Sequence, residues 1–560
     1  MRRRDEVASD IPETSKDLDD RRHLTANRFF FIALASFFIV GAAWSEATPL
    51  LAAPDEPSQI VKAASVAHGV WTARCYDVGP KCIASTSSAL GFEEVPTFYD
   101  LIRAPDAAEH GAHSQICFKK KTSPLGALPA SCARSLNTPA TPAEIKGYYN
   151  IFASTYQARY PPLYFAIVGL PSYFRGSSVD VYLMRLLSAL LSAIFLALAL
   201  TAAVVYSRNR AIVIGLVVAA TPMVFFLGGV VNPSGLEISS GIALWTTGAI
   251  LFSERLAAPP RGLVAMFGAS AVTIELVRPL SPLWLALSLV FLVACSERSA
   301  LLRALQARSV QICIVLVGLF GLVAVWWIVA VHATDLYLGV SSGGVPSSVS
   351  TWTIFETALR HNTFYLPDMI GVFGWFDTYA PSVTYVLWYV FLGGLAVAAA
   401  IQSWWRGVVL GVFAIAIVVI PAVIETSHAH AYGYTWSGRD LLPFAVGLPI
   451  LSTSSLRTRG GGRTKLSVGQ FKLVTTTVIV LAALAQFAAF YEALRRYAVG
   501  TTGPIFGFLK HPIWHPAIGI LGALALGAVA LMAVSLTYWL ALREPRSTAA
   551  DEVAVSTRPD

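Results

Sequence analysis

Charged side chains are scarce in this chain: Asp, Glu, Lys and Arg make up 13% of its 560 residues, against 55% hydrophobic residues. A soluble chain of this length could not bury so much apolar surface, which excludes a soluble globular protein. The formal net charge is +8, and the basic residues fall in short segments between apolar runs. That placement is typical of membrane topology and argues for a lipid bilayer rather than a nucleic-acid partner. The sequence therefore predicts an all-α polytopic membrane protein.

Cysteine is also scarce, with six residues and no C-x-x-C spacing, which disfavours a structural metal site. An even set of four lies in one predicted exported loop, and this indicates two disulfides in an oxidising compartment. Three pairings are open, and the local one is preferred: Cys75–Cys82 with Cys117–Cys132. Cys295 and Cys313 fall in or beside apolar runs and are predicted to be packing residues.

The N-terminus lacks the marks of a cleavable signal peptide, because it is long and acidic and no small-x-small site ends the first apolar run. We predict a disordered cytoplasmic tail over residues 1–27, followed by a retained anchor helix. A membrane domain then occupies residues 28–542, and residues 543–560 form a second disordered cytoplasmic tail.

About twelve apolar runs are long enough to span a bilayer. When the N-terminus is placed in the cytoplasm, every short basic loop falls on the cytoplasmic side, including "SRNR", "QSWWRG" and "RTRGGGRTK". The sequence thus predicts a multi-pass membrane protein with both termini in the cytoplasm. The runs lie at about 28–51, 181–206, 211–231, 236–253, 262–278, 280–295, 309–331, 383–401, 407–425, 440–456, 472–491 and 517–541.

The longest predicted loop, residues 54–180, lies on the outer side. It contains "RYPPLYFAIVGLPSYFRG", whose apolar core of about a dozen residues is bracketed by proline and is too short to span. We predict that this segment is an interfacial or re-entrant helix on the outer face.

Two adjacent carboxylates, Asp55 and Glu56, stand where the first apolar run reaches the outer side. Asp55 precedes Pro57 and an apolar-periodic segment, so it can be an ordinary helix N-cap. Its position at the first outward exit makes it a candidate for chemistry as well. Lys62 lies two turns along the same predicted helix face, where it can pair with Asp55 or hold an anionic ligand.

Ionisable residues within or bordering the apolar runs gather at the predicted outer ends, and intramembrane charge usually marks function or a paired structural site. A local ion pair between Glu275 and Arg278, three residues apart, is an equally good interpretation for those two. A transporter is expected to place its polar site near the midplane, so charge at one face indicates a cavity that opens outward. The residues are Arg185, Glu237, Glu275, Arg278, Glu425, Arg439 and Asp440.

Two outer loops, "FGWFDTYAPS" and "HAHAYGYTWSGRDLLPF", combine aromatic rings with charges. Such rings are most often an interfacial belt. Beside carboxylates they also suit a sugar, and Arg439 suits a phosphate. The predicted substrate cavity contains Glu237, Trp375, Asp377, Tyr434, Trp436 and Asp440. His511 and His515 are a weaker metal-pair candidate, because the proline after each disfavours helix.

Six short segments follow one another along the chain: "DEPSQIVKAASVAHG", "YPPLYF", "MRLLSALLSA", "NPSGLE", "FGWFD" and "GRDLLPF". In this order they resemble the bacterial family called domain of unknown function 2142, within the GT-C superfamily of integral-membrane glycosyltransferases. The resemblance runs from about residue 28 to residue 500. The chain departs from the family pattern at Tyr160, where His usually precedes Pro-Pro, and at Asp440, where Tyr usually follows Gly-Arg. The first departure puts a catalytic role for position 160 in doubt.

The resemblance implies a GT-C-like fold and transfer of a sugar from a polyprenyl-phosphate donor to a cell-envelope glycan, lipid or protein acceptor. Asp55 is then the base that takes the acceptor proton, and Glu56 orients the acceptor or holds a cation. Arg439, with Arg185, Arg278 and Lys62, holds the phosphate. Mg²⁺ or Mn²⁺ is compatible with such a site, but the sequence requires no cofactor and names no metal ligand.

Other function classes also fit a chain of about twelve spans. One is a polysaccharide polymerase, or a transporter or flippase for lipid-linked glycans, although no repeat of two halves is evident. Another is a non-catalytic membrane protein of envelope assembly that uses the long loop as a docking surface.

Overall fold

The computed structural model shows a bundle of α-helices with two short pairs of β-strands. It describes residues 15–67, 69, 71, 93–96, 152–155, 157, 159–174, 178–254, 256, 258–331, 333, 344–454, 456 and 467–543. The four cysteines predicted to form disulfides lie outside these residues. Cys295 and Cys313 are buried and free, which confirms them as packing residues.

The helices follow the apolar runs of the sequence. Their bounds are α1 Ser15–Ala47, α2 Glu56–Ala67, α3 Leu163–Val168, α4 Ser178–Val205, α5 Ile212–Ala219, α6 Pro222–Gly228, α7 Pro233–Ser253, α8 Arg261–Glu275, α9 Ser281–Ala294, α10 Arg298–Gln306, α11 Arg308–Ala330, α12 Thr351–Arg360, α13 Asn362–Gly371, α14 Ser382–Gln402, α15 Trp404–Tyr432, α16 Leu442–Ala445, α17 Gly447–Ser454, α18 Val468–Val499 and α19 Gly519–Arg543. Short 3₁₀ turns occupy Leu170–Tyr173, Gly438–Leu441 and Gly507–Leu509.

The strands form two antiparallel pairs. Strand β1 (Glu93–Pro96) pairs with β2 (Phe152–Thr155), with Glu93 opposite Thr155. Strand β3 (Val372–Phe373) pairs with β4 (Thr378–Tyr379), with Val372 opposite Tyr379. The second pair closes the tight turn that contains the "GWFD" sequence.

In the described part of the chain, eight helices are long and apolar enough to cross a membrane: α1, α4, α7, α11, α14, α15, α18 and α19. This confirms a multi-pass membrane protein, while the predicted count of twelve spans is not confirmed. Helices α8 and α9 coincide with predicted spans but have only 15 and 14 residues. The other two predicted spans are broken, one between α5 and α6 and one into the Gly438–Leu441 turn, α16 and α17.

The two broken segments pack around α7, whose apolar window is entirely buried. A proline stands at each break, with Pro222 opening α6 and Pro443 lying in α16. A Cβ on Gly215 of α5 would meet the backbone oxygen of Pro449 in α17 at 2.8 Å, so the two broken segments also touch each other. Broken helices are tolerated at membrane depth only where protein surrounds them, which fits the burial of most residues in both segments.

Contacts between loops divide them between two ends of the bundle. Asn209 donates to the carbonyl of Thr453 at 2.9 Å, and Arg210 donates to the carbonyl of Ala541 at 3.1 Å. At the opposite end, Asp55 contacts Arg439. The end that carries Asp55 is called the outer end below, in keeping with the predicted topology. The grouping of the loops agrees with the alternation read from the sequence.

The segment after Tyr160 forms only α3 and a 3₁₀ turn, so it is too short to span, as predicted. Its buried side, with Tyr164 and Phe165, faces the protein, while Tyr173 and Phe174 are exposed. Tyr173 donates to the carbonyl of Ala67 at the end of α2 at 2.7 Å. Helix α1 begins at Ser15, within the segment that the sequence predicts to be a disordered tail.

Candidate functional site at the outer end

The exit of the first membrane helix is fixed by a buried ion pair between α2 and α4. Arg185 donates to both carboxylate oxygens of Glu56, at 2.7 and 2.6 Å, and both side chains are fully buried. Its other N–H groups donate to the carbonyls of Ser45, Thr48 and Pro49 at 2.6 to 2.8 Å. All five donors of the guanidinium are therefore occupied. The pair closes the C-terminal end of α1 and places the start of α2.

Asp55 precedes α2 and has a φ of 64°, in the left-handed region that non-glycine residues rarely adopt. Its Oδ2 accepts a hydrogen bond of 2.6 Å from Nη2 of Arg439, 384 residues away in the chain. The side chain of Asp55 is 22% exposed and that of Arg439 is 9% exposed. The pair is thus reachable from outside, in contrast to the Arg185–Glu56 pair.

Arg439 is held from two sides. Its backbone N–H donates to Oδ2 of Asp368 at 3.3 Å, and the hydroxyl of Ser437 donates to the same oxygen at 2.8 Å. The guanidinium lies 5.2 Å from the ring centre of Phe376, a cation–π distance. In the described structure, no protein acceptor takes the remaining N–H groups of the Arg439 guanidinium. Arg439 therefore keeps donors for a ligand, and Arg185 does not.

Electrostatics keep Arg439 charged and disfavour charge on Asp368. Burial opposes the charge of Arg439, but the carboxylates of Asp55, Asp440 and Asp368 outweigh it and raise its pKa. Burial raises the pKa of Asp368 to about 6, although Arg439 and Ser437 act in the opposite direction. Asp368 is fully buried and its Oδ1 has no hydrogen-bond partner in the described structure.

Arg278 joins the start of α7 to the "GRD" turn. It donates to Oε2 of Glu237 at 3.1 Å and to Oδ1 of Asp440 at 2.8 Å. The hydroxyl of Ser281 donates to Oε1 of Glu237 at 2.6 Å. Because Arg439 and Asp440 are adjacent in the chain, the two ion-pair systems form one cluster. Arg278 does not pair with Glu275, so the local ion pair suggested by their spacing is absent among the described contacts.

Tyr160 belongs to the same cluster. Its ring lies 5.9 Å from the guanidinium carbon of Arg278. Burial raises its pKa, with Arg278 acting in the opposite direction, so its hydroxyl stays protonated at neutral pH. The position that departs from the family pattern is therefore at the site.

Glu425 lies on α15 and binds the loop that precedes Arg439. Its Oε1 accepts the backbone N–H groups of Thr435 and Trp436, both at 2.9 Å, and its Oε2 accepts the hydroxyl of Tyr365 at 2.7 Å. The carboxylate is fully buried. It therefore holds the loop that leads to Arg439. The ring of Tyr434 lies outside this hydrogen-bond set and packs edge-on against His361.

Some predicted site residues lie elsewhere. Lys62 is buried, donates to the carbonyl of Trp71 and lies 6.0 Å from the ring centre of Phe165. Asp377 pairs with Arg496 in a buried contact on α18. These contacts are made with residues other than Asp55 and Arg439.

Three further predicted residues have other surroundings. Trp375 packs beside Ala52 and Tyr497. The ring of Trp436 lies 6.2 Å from that of Trp284. Glu275 is buried next to Gly321 of α11, away from the ion pairs.

No group of three or more His, Cys, Asp or Glu side chains in the described residues is arranged to hold a metal ion. The carboxylates of the cluster bind arginines instead. His515 contacts the carbonyl of Pro516 through Nδ1. A divalent cation at this site remains a prediction.

Sequence reasoning missed Asp368, Phe376, Ser281 and Ser437. Asp368 lies on a short helix with no charge pattern, and Phe376 is one aromatic residue among several in its loop. Gly438 is the one visible signal: a Cβ there would lie 2.1 Å from the carbonyl oxygen of Tyr365. Only glycine permits that approach of the Arg439 turn to α13.

The chain is similar to a known protein family and to solved structures. The sequence model of a family described as "Predicted membrane protein (DUF2142)" matches residues 38–448. The structure of ArnT from Cupriavidus metallidurans bound to undecaprenyl phosphate is similar at 14% identity and a TM-score of 0.37, covering 86% of this chain and 76% of that one. The apo structure of the same protein gives 14% identity, a TM-score of 0.36, and coverage of 86% and 75%. Likeness of this degree carries no argument about chemistry. No curated protein matches the chain.

Proposed function

The chain belongs to the DUF2142 family of membrane proteins, and we propose that it is a GT-C-type glycosyltransferase. It would move a sugar from a polyprenyl-phosphate donor to a cell-envelope glycan, lipid or protein at the outer face of the bacterial cytoplasmic membrane. The order of the sequence segments supports the superfamily. The observation that carries the reaction class is the Asp55–Arg439 pair: a reachable carboxylate next to an arginine with unused donors.

The proposed reaction needs a base and a cationic site. The carboxylate of Asp55 takes the proton of an acceptor hydroxyl while that oxygen bonds to the anomeric carbon. The bond from that carbon to the phosphate oxygen breaks, and its electron pair leaves with the polyprenyl phosphate. Phosphate is a weak base, so stabilisation by Arg439 replaces a general acid. One displacement of this kind inverts the anomeric configuration.

The remaining residues divide by what they contact. Arg278 and Tyr160 lie beside Arg439 and complete the wall of the proposed donor site, with Arg278 already bound to Glu237 and Asp440. Glu56 and Arg185 are proposed to position Asp55, because both are fully buried and saturated with each other and with carbonyls. Arg185 is therefore not proposed as a phosphate ligand, and a role of Lys62 in holding an anionic ligand stays a prediction.

The test is a transfer assay with the full-length protein in liposomes. The donor is a set of undecaprenyl-phosphate-linked radiolabelled hexoses and pentoses, and the acceptor is a bacterial envelope fraction. We expect acceptor-dependent release of undecaprenyl phosphate by the wild type. Asp55→Asn should lower it at least a hundredfold, because a positioned general base contributes about 10²–10⁴ in rate.

The matched control is Glu356→Gln, which removes a carboxylate from an exposed ion pair with Arg360 on α12. It should transfer at the wild-type rate. Full activity of Asp55→Asn would refute the role of Asp55. Absence of turnover by the wild type with every donor would refute the glycosyltransferase proposal itself.

A further inference from the structure

The proposed base and the proposed phosphate ligand are bound to each other. Oδ2 of Asp55 lies 2.6 Å from Nη2 of Arg439. Oδ2 of Asp55 thus directs at Arg439 a lone pair that it would need to accept a proton from a third group. A phosphate that bonds to Arg439 through two oxygens would compete for the same donor fork. Asp55 and a phosphate therefore compete for one contact, although Arg439 keeps further N–H groups.

Arg439 is the fixed member of this pair. Its backbone is tied to Asp368, which is fully buried, and its guanidinium packs on Phe376. Asp55 instead is the last residue of the connection between α1 and α2, residues 48–55, and its side chain is the more exposed of the two. A competing anion would therefore displace Asp55 and leave Arg439 in place.

The charges of the cluster make such competition effective. Asp55, Asp440 and Glu237 contribute three carboxylates, against the two guanidinium groups of Arg278 and Arg439. Arg278 is shared between Glu237 and Asp440, so its charge is already balanced by two carboxylates. An incoming phosphate meets a site whose positive charge is neutralised from within, and on Arg439 it competes with the carboxylate of Asp55.

We propose that Asp55 is the resident occupant of the anion site on Arg439, and that the phosphate of the donor lipid displaces it. This inference rests on the proposed function and extends it to an order of events. Donor binding releases the Asp55 carboxylate from Arg439, and only then is it available to take the acceptor proton. The base is thus withheld until the sugar donor is in place, which limits reaction with water.

The test measures binding rather than transfer. Purified full-length protein in nanodiscs is titrated with undecaprenyl phosphate and, in a separate arm, with inorganic phosphate. Asp55→Asn should bind undecaprenyl phosphate about tenfold more tightly than the wild type, because a charged competitor for Arg439 has been removed. A loss of the base thus improves ligand binding while it abolishes turnover.

The control is Glu356→Gln, which also removes one carboxylate charge, but from an exposed ion pair with Arg360 on α12. It should change the affinity less than twofold. An equal gain in both variants would overturn the inference, because charge alone would then explain it, and unchanged or weaker binding in Asp55→Asn would overturn it as well. A gain with inorganic phosphate but not with the lipid would overturn the assignment to a lipid headgroup.

Asp55→Ser is the second variant, to be used if Asp55→Asn does not give a monodisperse protein. The same tighter binding is expected from it. The proposed function can fail independently of this inference. If Asp55→Asn binds more tightly but the wild type transfers no sugar, the anion site on Arg439 is supported and the glycosyltransferase proposal is refuted.

Discussion

Arg185 and Arg439 differ in how many of their guanidinium N–H groups already donate to protein acceptors. Arg185 donates all five of its guanidinium N–H groups to Glu56 and three backbone carbonyls, and Arg439 donates one to Asp55. Both arginines were predicted from position alone, at the outer ends of apolar runs. Position does not reveal hydrogen-bond saturation, because the carbonyls that saturate Arg185 belong to a helix end 136 to 140 residues away. That distinction required the structure.

Asp368 is expected to make the stability of the protein depend on pH. Burial raises its pKa to about 6 from the ordinary 3.8, and it lies on α13, outside the membrane-spanning helices. The charged and titratable groups facing it are Arg439, Asp440 and Tyr385. Its proton is held more tightly in the folded protein than in the unfolded chain, so it contributes stability below about pH 4 that is lost as pH rises through 6.

We therefore expect the free energy of unfolding of the wild type to fall by roughly 3 kcal/mol relative to Asp368→Asn between pH 4 and pH 8. The asparagine keeps an oxygen that can accept from Ser437 and Arg439 but does not titrate. The measurement is equilibrium unfolding of both proteins in detergent across this range. A difference between the two proteins that does not vary with pH would contradict the assignment.

At the scale of elements, the β3–β4 turn is the part of the site that sequence patterns described least well. The motif "FGWFD" predicted that Trp375 and Asp377 face the cavity, but Asp377 binds Arg496 on α18. It is Phe376 that lies under Arg439, with a φ of 62°. A bulky residue in this backbone region persists only where its surroundings hold it. The pairing of β3 with β4 and the contact of Asp377 with Arg496 stabilise this backbone conformation of Phe376.

Replacement of Phe376 tests this support. Phe376→Leu keeps an apolar side chain but removes the ring face from Arg439. We expect the affinity for undecaprenyl phosphate to fall about two- to thirtyfold, the range of a cation–π contact of about 0.5–2 kcal/mol. Phe506→Leu, at a residue 74% exposed in another outer loop, is the control and should bind as the wild type does. Wild-type affinity in Phe376→Leu would show that the ring does not support Arg439.

At the scale of the whole molecule, the apolar runs predicted where helices occur and which loops share an end. They did not predict the breaks between α5 and α6 or at residues 438–447. The segments on both sides of each break are as apolar as a continuous span, so hydropathy gives no signal, although Pro222 and Pro443 stand at the breaks. Burial around α7 makes the breaks tolerable, since protein rather than lipid surrounds them. The second break matters for function because it places Arg439 and Asp440 on a turn beside Asp55 and Arg278.

The charge distribution of the molecule follows from the same arrangement. The ion pairs that join α2, α4, α7 and the Gly438–Leu441 turn lie at the end that carries Asp55. Their members come from positions 55 to 440 and were predicted individually from the outer ends of the runs. The partners were not predictable, because each pair closes over at least forty-one residues of chain. The sequence therefore predicted which residues belong to the cluster, and the structure showed which of them pair.

The most direct test of this account is the structure of the protein in nanodiscs with undecaprenyl phosphate. We expect the phosphate oxygens within hydrogen-bond distance of the Arg439 guanidinium, about 2.7–2.9 Å from its nitrogens. The carboxylate of Asp55 should be turned away from Arg439 and towards solvent, while the Arg185–Glu56 pair stays intact. A phosphate bound elsewhere, with Asp55 still on Arg439, would contradict the central claim that these two residues form the site of transfer.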